Sequence, residues 1–150
     1  MSRVLTSSAP TAGTFAPSAG STWRTGLTST GVALAANLAV LAVARLFGAD
    51  MAVQQPASQT AITVGVGLVA LMTLAPLLIA TLLLLPLRRR GARAWRALAL
   101  TGLVIGVITV PGPFTVLADN DTRAALASMH VLTGAIWFAV VRRAAHDREV

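Results

Sequence analysis

Few side chains in this sequence can do chemistry, and most of them lie in or beside long apolar blocks. The most versatile is His130, because an imidazole can hold or move a proton near neutral pH. On a helix, His130, Gly134 and Trp137 follow one another at i, i+4 and i+7, which is one face. That face offers a base, a gap and an aromatic wall, the parts of a pocket for a lipophilic molecule. Asn37 is the other deep polar group, while Arg45, Asp50 and Asp119 fall nearer the ends of the blocks. Taken as a catalytic set, His130 is the acid or base and Asp50 or Asp119 orients it. Arg45 would then hold an anionic head, with Asn37 and Trp137 against the ligand. The plainer alternative makes His130 a hydrogen-bonding strut with Asn37 as its partner, Trp137 packing, and the aspartates solvated loop residues.

Many chemistries are excluded by what is missing. The chain has no cysteine, so it has no disulfide, no thiol redox couple and no thiolate metal site. With only His130 and His146, and His146 in a charged tail, a two-histidine haem site within one chain is not expected. No phosphate loop, zinc motif or nucleophile elbow is present. Ser128 and His130 are two apart and point to different faces of a helix, a poor dyad. No acid lies deep in an apolar block, which argues against proton-coupled efflux of the small four-helix kind. No cofactor or metal is expected.

The elements that must position these groups are membrane helices. Of 150 residues, 55% are hydrophobic and only 11% charged, against about a quarter charged in a soluble domain. The apolar residues come in long runs without helical or strand alternation. The expected fold is all-α: a polytopic membrane protein, a four-transmembrane-helix up-down bundle, with spans near 29–47, 61–87, 94–110 and 123–141. At 1.5 Å per residue the first covers about 28 Å, close to the hydrocarbon thickness. Residues 1–26, rich in Ser, Thr, Ala, Gly and Pro, read as a disordered cytoplasmic tail. The domain proper is 27–141, and 142–150 form a charged cytoplasmic tail.

Within the spans, Pro76 should kink the second helix. Gly102 and Gly106 give the third a small-xxx-small face for close helix approach. Residues 48–60 read as a loop, and Asp121 or Thr122 as the cap of the fourth helix. Pro111 and Pro113 break the third, and the apolar stretch to Ala118 either lies in the interface or extends the span. In an up-down bundle the first and fourth helices are neighbours, which brings Asn37 and His130 within about one turn of each other in depth.

The formal net charge is +7 and every basic side chain is arginine. All but Arg45 and Arg123 fall in segments that lie on one side if the N-terminus is inside, whereas Asp50, Asp119 and Asp121 fall on the other. The positive-inside rule then places both termini in the cytoplasm and the protein in the plasma membrane. The arginines flank apolar blocks and lack interleaved aromatics, so no nucleic-acid partner is expected.

The segment Ala44-Arg45-Leu46-Phe47-Gly48-Ala49-Asp50-Met51-Ala52-Val53, Trp95 in the basic turn, and Met129-His130-Val131 resemble a family of small actinobacterial four-helix membrane proteins of unknown function. The likeness covers about Leu27 to Val141. It implies the four-span architecture and no activity, and it draws attention to Arg45, Asp50 and His130 as an outer group. The Ala, Leu, Val, Arg and Gly bias suits a high-GC bacterium.

Two functions from different classes follow. The first is a non-catalytic envelope accessory that binds lipid, a membrane-protein partner or a second copy of itself, its close-packing face at Gly102 and Gly106. The second is a small intramembrane isomerase or cyclase acting on a lipophilic metabolite at an outer-side pocket around His130. A transporter ranks third, because a four-helix chain without a deep charge would need to oligomerise to form a path.

Overall fold

The computed structural model describes residues 18–147. The element order is α1 (Ala19–Leu46), β1 (Ala52–Val53), β2 (Ile62–Thr63), α2 (Val66–Leu87), a 3-10 turn (Arg88–Arg90), α3 (Gly91–Ile108), a second 3-10 turn (Gly112–Phe114) and α4 (Asn120–His146). Three helical stretches are long and apolar enough to cross a membrane: Ala19–Leu46, Val66–Phe114 and Asn120–His146. The middle stretch contains both α2 and α3. Gly91, at φ 78° and ψ −179°, breaks it with a backbone that glycine adopts most cheaply.

Helix α1 begins well before the expected start at Ser29. Ser18 caps it, accepting from the Ser21 N–H at 3.1 Å. The part of the expected tail within 18–26 is therefore mostly helical, and 1–17 lie outside the described residues. Hydropathy missed this stretch because its buried face is small and polar: Thr22, Gly26, Ser29 and Thr30. The Thr22 and Thr30 hydroxyls donate back to the Ser18 and Gly26 carbonyls, at 3.1 and 2.8 Å, which satisfies them within the helix. Gly26 lets Thr81 of α2 sit where a Cβ would be.

The expected 48–60 loop instead starts a small hairpin. β1 pairs antiparallel with β2, Ala52 opposite Thr63 and Val53 opposite Ile62, so α2 starts at Val66, not Ala61. Met51 enters the hairpin at φ 53°, a costly backbone for a long side chain. Its surroundings hold it: the side chain is fully buried, its N–H donates to Thr122 Oγ1 at 3.0 Å and its carbonyl accepts from the Val64 N–H at 2.7 Å. The 111–118 stretch turns back toward this hairpin. Gln54 and Leu117 exchange two backbone hydrogen bonds of 2.9 Å, so this segment becomes a capping connection and α3 ends at Ile108.

The helices do not close into a symmetric bundle. α2 packs on α1, α1 on α4 and α4 on α3, while the consecutive pair α2 and α3 share little contact. One apolar cluster gathers Ala33, Leu77, Leu84, Trp95, Val141 and Ala145 near the arginine-rich end. The other gathers Leu41, Met51, Val64, Val69, Ala125 and Met129 near the hairpin. The Gly102–Gly106 face meets α4 of the same chain. A Cβ on Gly106 would lie 2.8 Å from the His130 carbonyl oxygen and 3.0 Å from Gly134 Cα. This is backbone-to-backbone packing of the kind small residues allow in lipid.

Gly106→Ala must therefore push α3 off α4 and should destabilise the solubilised protein by about 1–3 kcal/mol. Gly31→Ala, with no atom within 4 Å of the added carbon, should be neutral or slightly stabilising. Unfolding of both variants in a common detergent checks this; equal stability would remove the glycine contact as the hold on α3.

Candidate functional site

Because α3 leans onto α4 and away from α2, a cleft of about 430 Å³ opens between α2 and α3. That volume lies in the range of small-molecule sites, about 300–1,000 Å³. Exposed Met72 and Pro76 of α2 and Ile105 and Thr109 of α3 form its mouth. Its floor is made of α1 and α4, with Asn37, Met129, Gly134 and Trp137 buried there and His130 half-buried. The walls are almost wholly apolar, so the few polar atoms stand out.

Asn37, only 3% exposed, ties three helices. Its Nδ2 donates to Thr73 Oγ1 of α2 at 2.9 Å and to Thr133 Oγ1 of α4 at 2.8 Å. The expected partner, His130, is not the one it bonds. The ring of His130 turns to its own helix, with Nδ1 2.7 Å from the Leu126 carbonyl oxygen. Asn37 Oδ1 is buried with no hydrogen-bond partner among the described residues. Trp137 lies against Gly102 and its Nε1–H donates to the Leu98 carbonyl at 3.3 Å. Its ring forms the cleft wall toward the arginine-rich end.

Of the residues expected at a site, Asn37, His130 and Trp137 come together in the cleft, and Arg45, Asp50 and Asp119 do not line it. Arg45 is exposed and donates through Nη2 to the Val64 carbonyl at 3.3 Å, which braces the hairpin. Asp50 is exposed in the turn after α1. Asp119, not Asp121 or Thr122, is the α4 cap: its Oδ1 accepts from the Thr122 N–H at 2.7 Å and its Oδ2 from the Thr122 hydroxyl at 2.5 Å. It precedes His130 by eleven helical positions, about 16 Å by helix rise, too far to orient the ring. Thr122 in turn accepts from Met51, so one side chain joins the helix cap to the strained residue of the hairpin.

Nothing in the sequence around them singles out Thr73, Thr109 or Thr133, because a threonine in an apolar run can satisfy its hydroxyl on its own helix. Thr109 and Thr133 do bond there, to Ile105 and Met129 at 2.8 Å each, yet all three also line the cleft. The signal for Thr73 and Thr133 was Asn37 itself, since a buried amide needs partners on the helices that cover it.

A family model described as "Family of unknown function (DUF6069)" matches residues 17–147. No curated protein and no solved structure matches the chain.

Hydrogen bonds from the Thr122 side chain and backbone hold the Asp119 carboxyl below the usual carboxylate range. A carboxyl depressed in this way contributes stability that is complete above the unfolded value, about 3.9, and is lost as pH falls through the lower folded value. Asp119→Ala should thus unfold at lower temperature than wild type at pH 7, and the gap should narrow toward pH 2. Melting curves across that range check it; a gap independent of pH would mean the carboxylate charge does not contribute.

Proposed function

We propose that this chain, which belongs to the DUF6069 family of unknown function, is a non-catalytic membrane protein that holds a lipophilic small molecule in the α2–α3 cleft. The observation that carries this reading is the cleft: apolar walls, a mouth on the outer faces of two apolar helices, and a floor with a few polar atoms. A bilayer supplies such molecules laterally, so an opening between helices suits them better than a mouth toward water.

In this reading α1 to α4 each cross the bilayer. α3, at 18 residues, spans about 27 Å, near the hydrocarbon thickness. Arg24, Arg88, Arg89, Arg90, Arg93, Arg96, Arg142 and Arg143 belong to the helix ends at one side, and Asp50, Asp119 and Asp121 to the other. This asymmetry supports cytoplasmic termini and a plasma-membrane location. The arginine-only basic set supports a high-GC, actinobacterial origin. An accessory role beside another membrane protein remains compatible with the cleft, although the Gly102–Gly106 face is already taken up by α4.

The chain has no cysteine, so single reporters are clean. A thiol placed by Asp50→Cys should react with an impermeant maleimide in intact spheroplasts, and one placed by Arg89→Cys only after permeabilisation. The reverse pattern would invert the orientation.

The second reading is the intramembrane isomerase or cyclase, favoured by the one observation that His130 lines the cleft. Extraction of gently purified protein separates the two. Wild type should carry a molecule enriched over bulk lipid, and Met72→Trp/Ile105→Trp, which fills the mouth, should lose it about tenfold or more. Recovery of the same molecule from wild type and His130→Ala favours holding; its isomer accumulating only in the variant favours catalysis. Bulk lipid alone in every sample would sink the cleft as a site.

A further inference from the structure

A second recess, of about 490 Å³, lies between the arginine-rich ends of α3 and α4 and shares no lining residue with the cleft. Arg96 of α3 walls one side, and Arg142, Arg143 and His146 of α4 wall the other. All four are exposed. Among the described residues no carboxylate lines the recess, and Asp147, next along the chain from His146, is not part of its wall. The Arg142 guanidinium lies over the Phe138 ring at 5.5 Å. Neither it nor the Arg143 guanidinium has a carboxylate partner among the described residues.

Three guanidiniums stay charged at any physiological pH and repel one another across this shared space. The negative end of the α4 dipole accounts for cations in the last turn of that helix. It does not account for Arg96, which comes from the other wall. An anion between the walls removes the repulsion and offers planar forks the oxygens that they bind best. Toward the membrane the surface turns apolar. Exposed Ala139 precedes Arg142 and Arg143 by three and four positions, on their face and one turn deeper. Leu100 and Val104, 52% and 43% exposed, follow Arg96 at i+4 and i+8 on its face. A headgroup seated among the arginines therefore has bare apolar helix beneath it for its chains.

We infer that this recess binds the phosphate of an anionic phospholipid from the leaflet at the arginine end. The inference rests on the four-span reading, which the labelling of Arg89→Cys tests separately, and it is independent of the cleft. Basic pockets between helix ends suit lipid phosphates, and the apolar continuation favours a lipid over a soluble phosphate.

The test uses the full-length protein in nanodiscs of equal parts phosphatidylcholine and phosphatidylglycerol. After transfer to a mild detergent, native mass spectrometry counts the phospholipid that stays bound. Phosphatidylglycerol should be retained about tenfold over phosphatidylcholine. Arg142→Gln/Arg143→Gln should abolish that preference. Arg89→Gln/Arg90→Gln removes the same charge from the same end, outside the recess, and should keep the preference within about twofold. Should the first variant not fold, Arg96→Gln takes its place. No preference in wild type, a preference kept by the recess variant, or equal loss in both double variants overturns the site and leaves a diffuse basic field. Displacement of the lipid by inorganic phosphate, and not by chloride of equal ionic strength, overturns the lipid as the source. Loss of the preference in Met72→Trp/Ile105→Trp moves the lipid to the cleft and overturns the recess. An empty cleft with the preference intact removes the cleft function and supports the recess.

Discussion

The backbone contact of α3 with α4, where Gly106 meets His130 and Gly134, sets the geometry of the rest. In lipid no hydrophobic force draws apolar helices together, so they associate where their surfaces allow the closest approach. Three glycines make α4 the best neighbour for α3, and α2 cannot compete for it. α2 instead follows α1, where Gly26 admits Thr81 and Asn37 reaches Thr73. Two tightly joined pairs share α1 and α4 as a common floor, and the unfilled space between their outer members is the cleft.

Polar side chains then decide what is fixed. Asn37 crosses from α1 to both α2 and α4 with one NH₂ group. Its amide spends its donors on structure. The same economy appears at Thr122, which accepts from Met51 and donates to Asp119. That one hydroxyl makes the cap of α4 and the positive-φ residue of the hairpin interdependent. At the opposite end Arg142 lies over the Phe138 ring at 5.5 Å, an arrangement that lets a guanidinium cover apolar surface while remaining at the boundary.

The apolar blocks made the helical character legible, and every helix has a boundary near one read from the sequence; for α1 it is the end, at Leu46 against 47. The start of α1 was hidden because hydropathy scores threonine and serine as polar, although their hydroxyls bond within the helix. The hairpin was hidden because its strands are two residues each, too short for alternation to register. The i, i+4, i+7 spacing predicts a shared face for His130, Gly134 and Trp137, and all three line the cleft. Pairing Asn37 with His130 went wrong because depth along a helix says nothing of rotation about it. Asp50 and Asp119 looked like partners for the imidazole only while the loops had no shape; the short-range bonds of a helix cap claimed Asp119 first.

The Gln54–Leu117 bridge gives the cleft an unequal frame. At the arginine end α2 and α3 are joined through the chain itself, a hinge of three residues and a glycine. At the other end the segments leading into α2 and out of α3 are pinned by two backbone hydrogen bonds. The rim is thus a closed loop with one covalent side and one breakable side. Any widening between α2 and α3 pivots at the arginines and is greatest near the hairpin, as with a clothes-peg whose spring is at one end. The width of the mouth is thus tied to a clasp, Gln54 and Leu117, that lies outside the cleft lining.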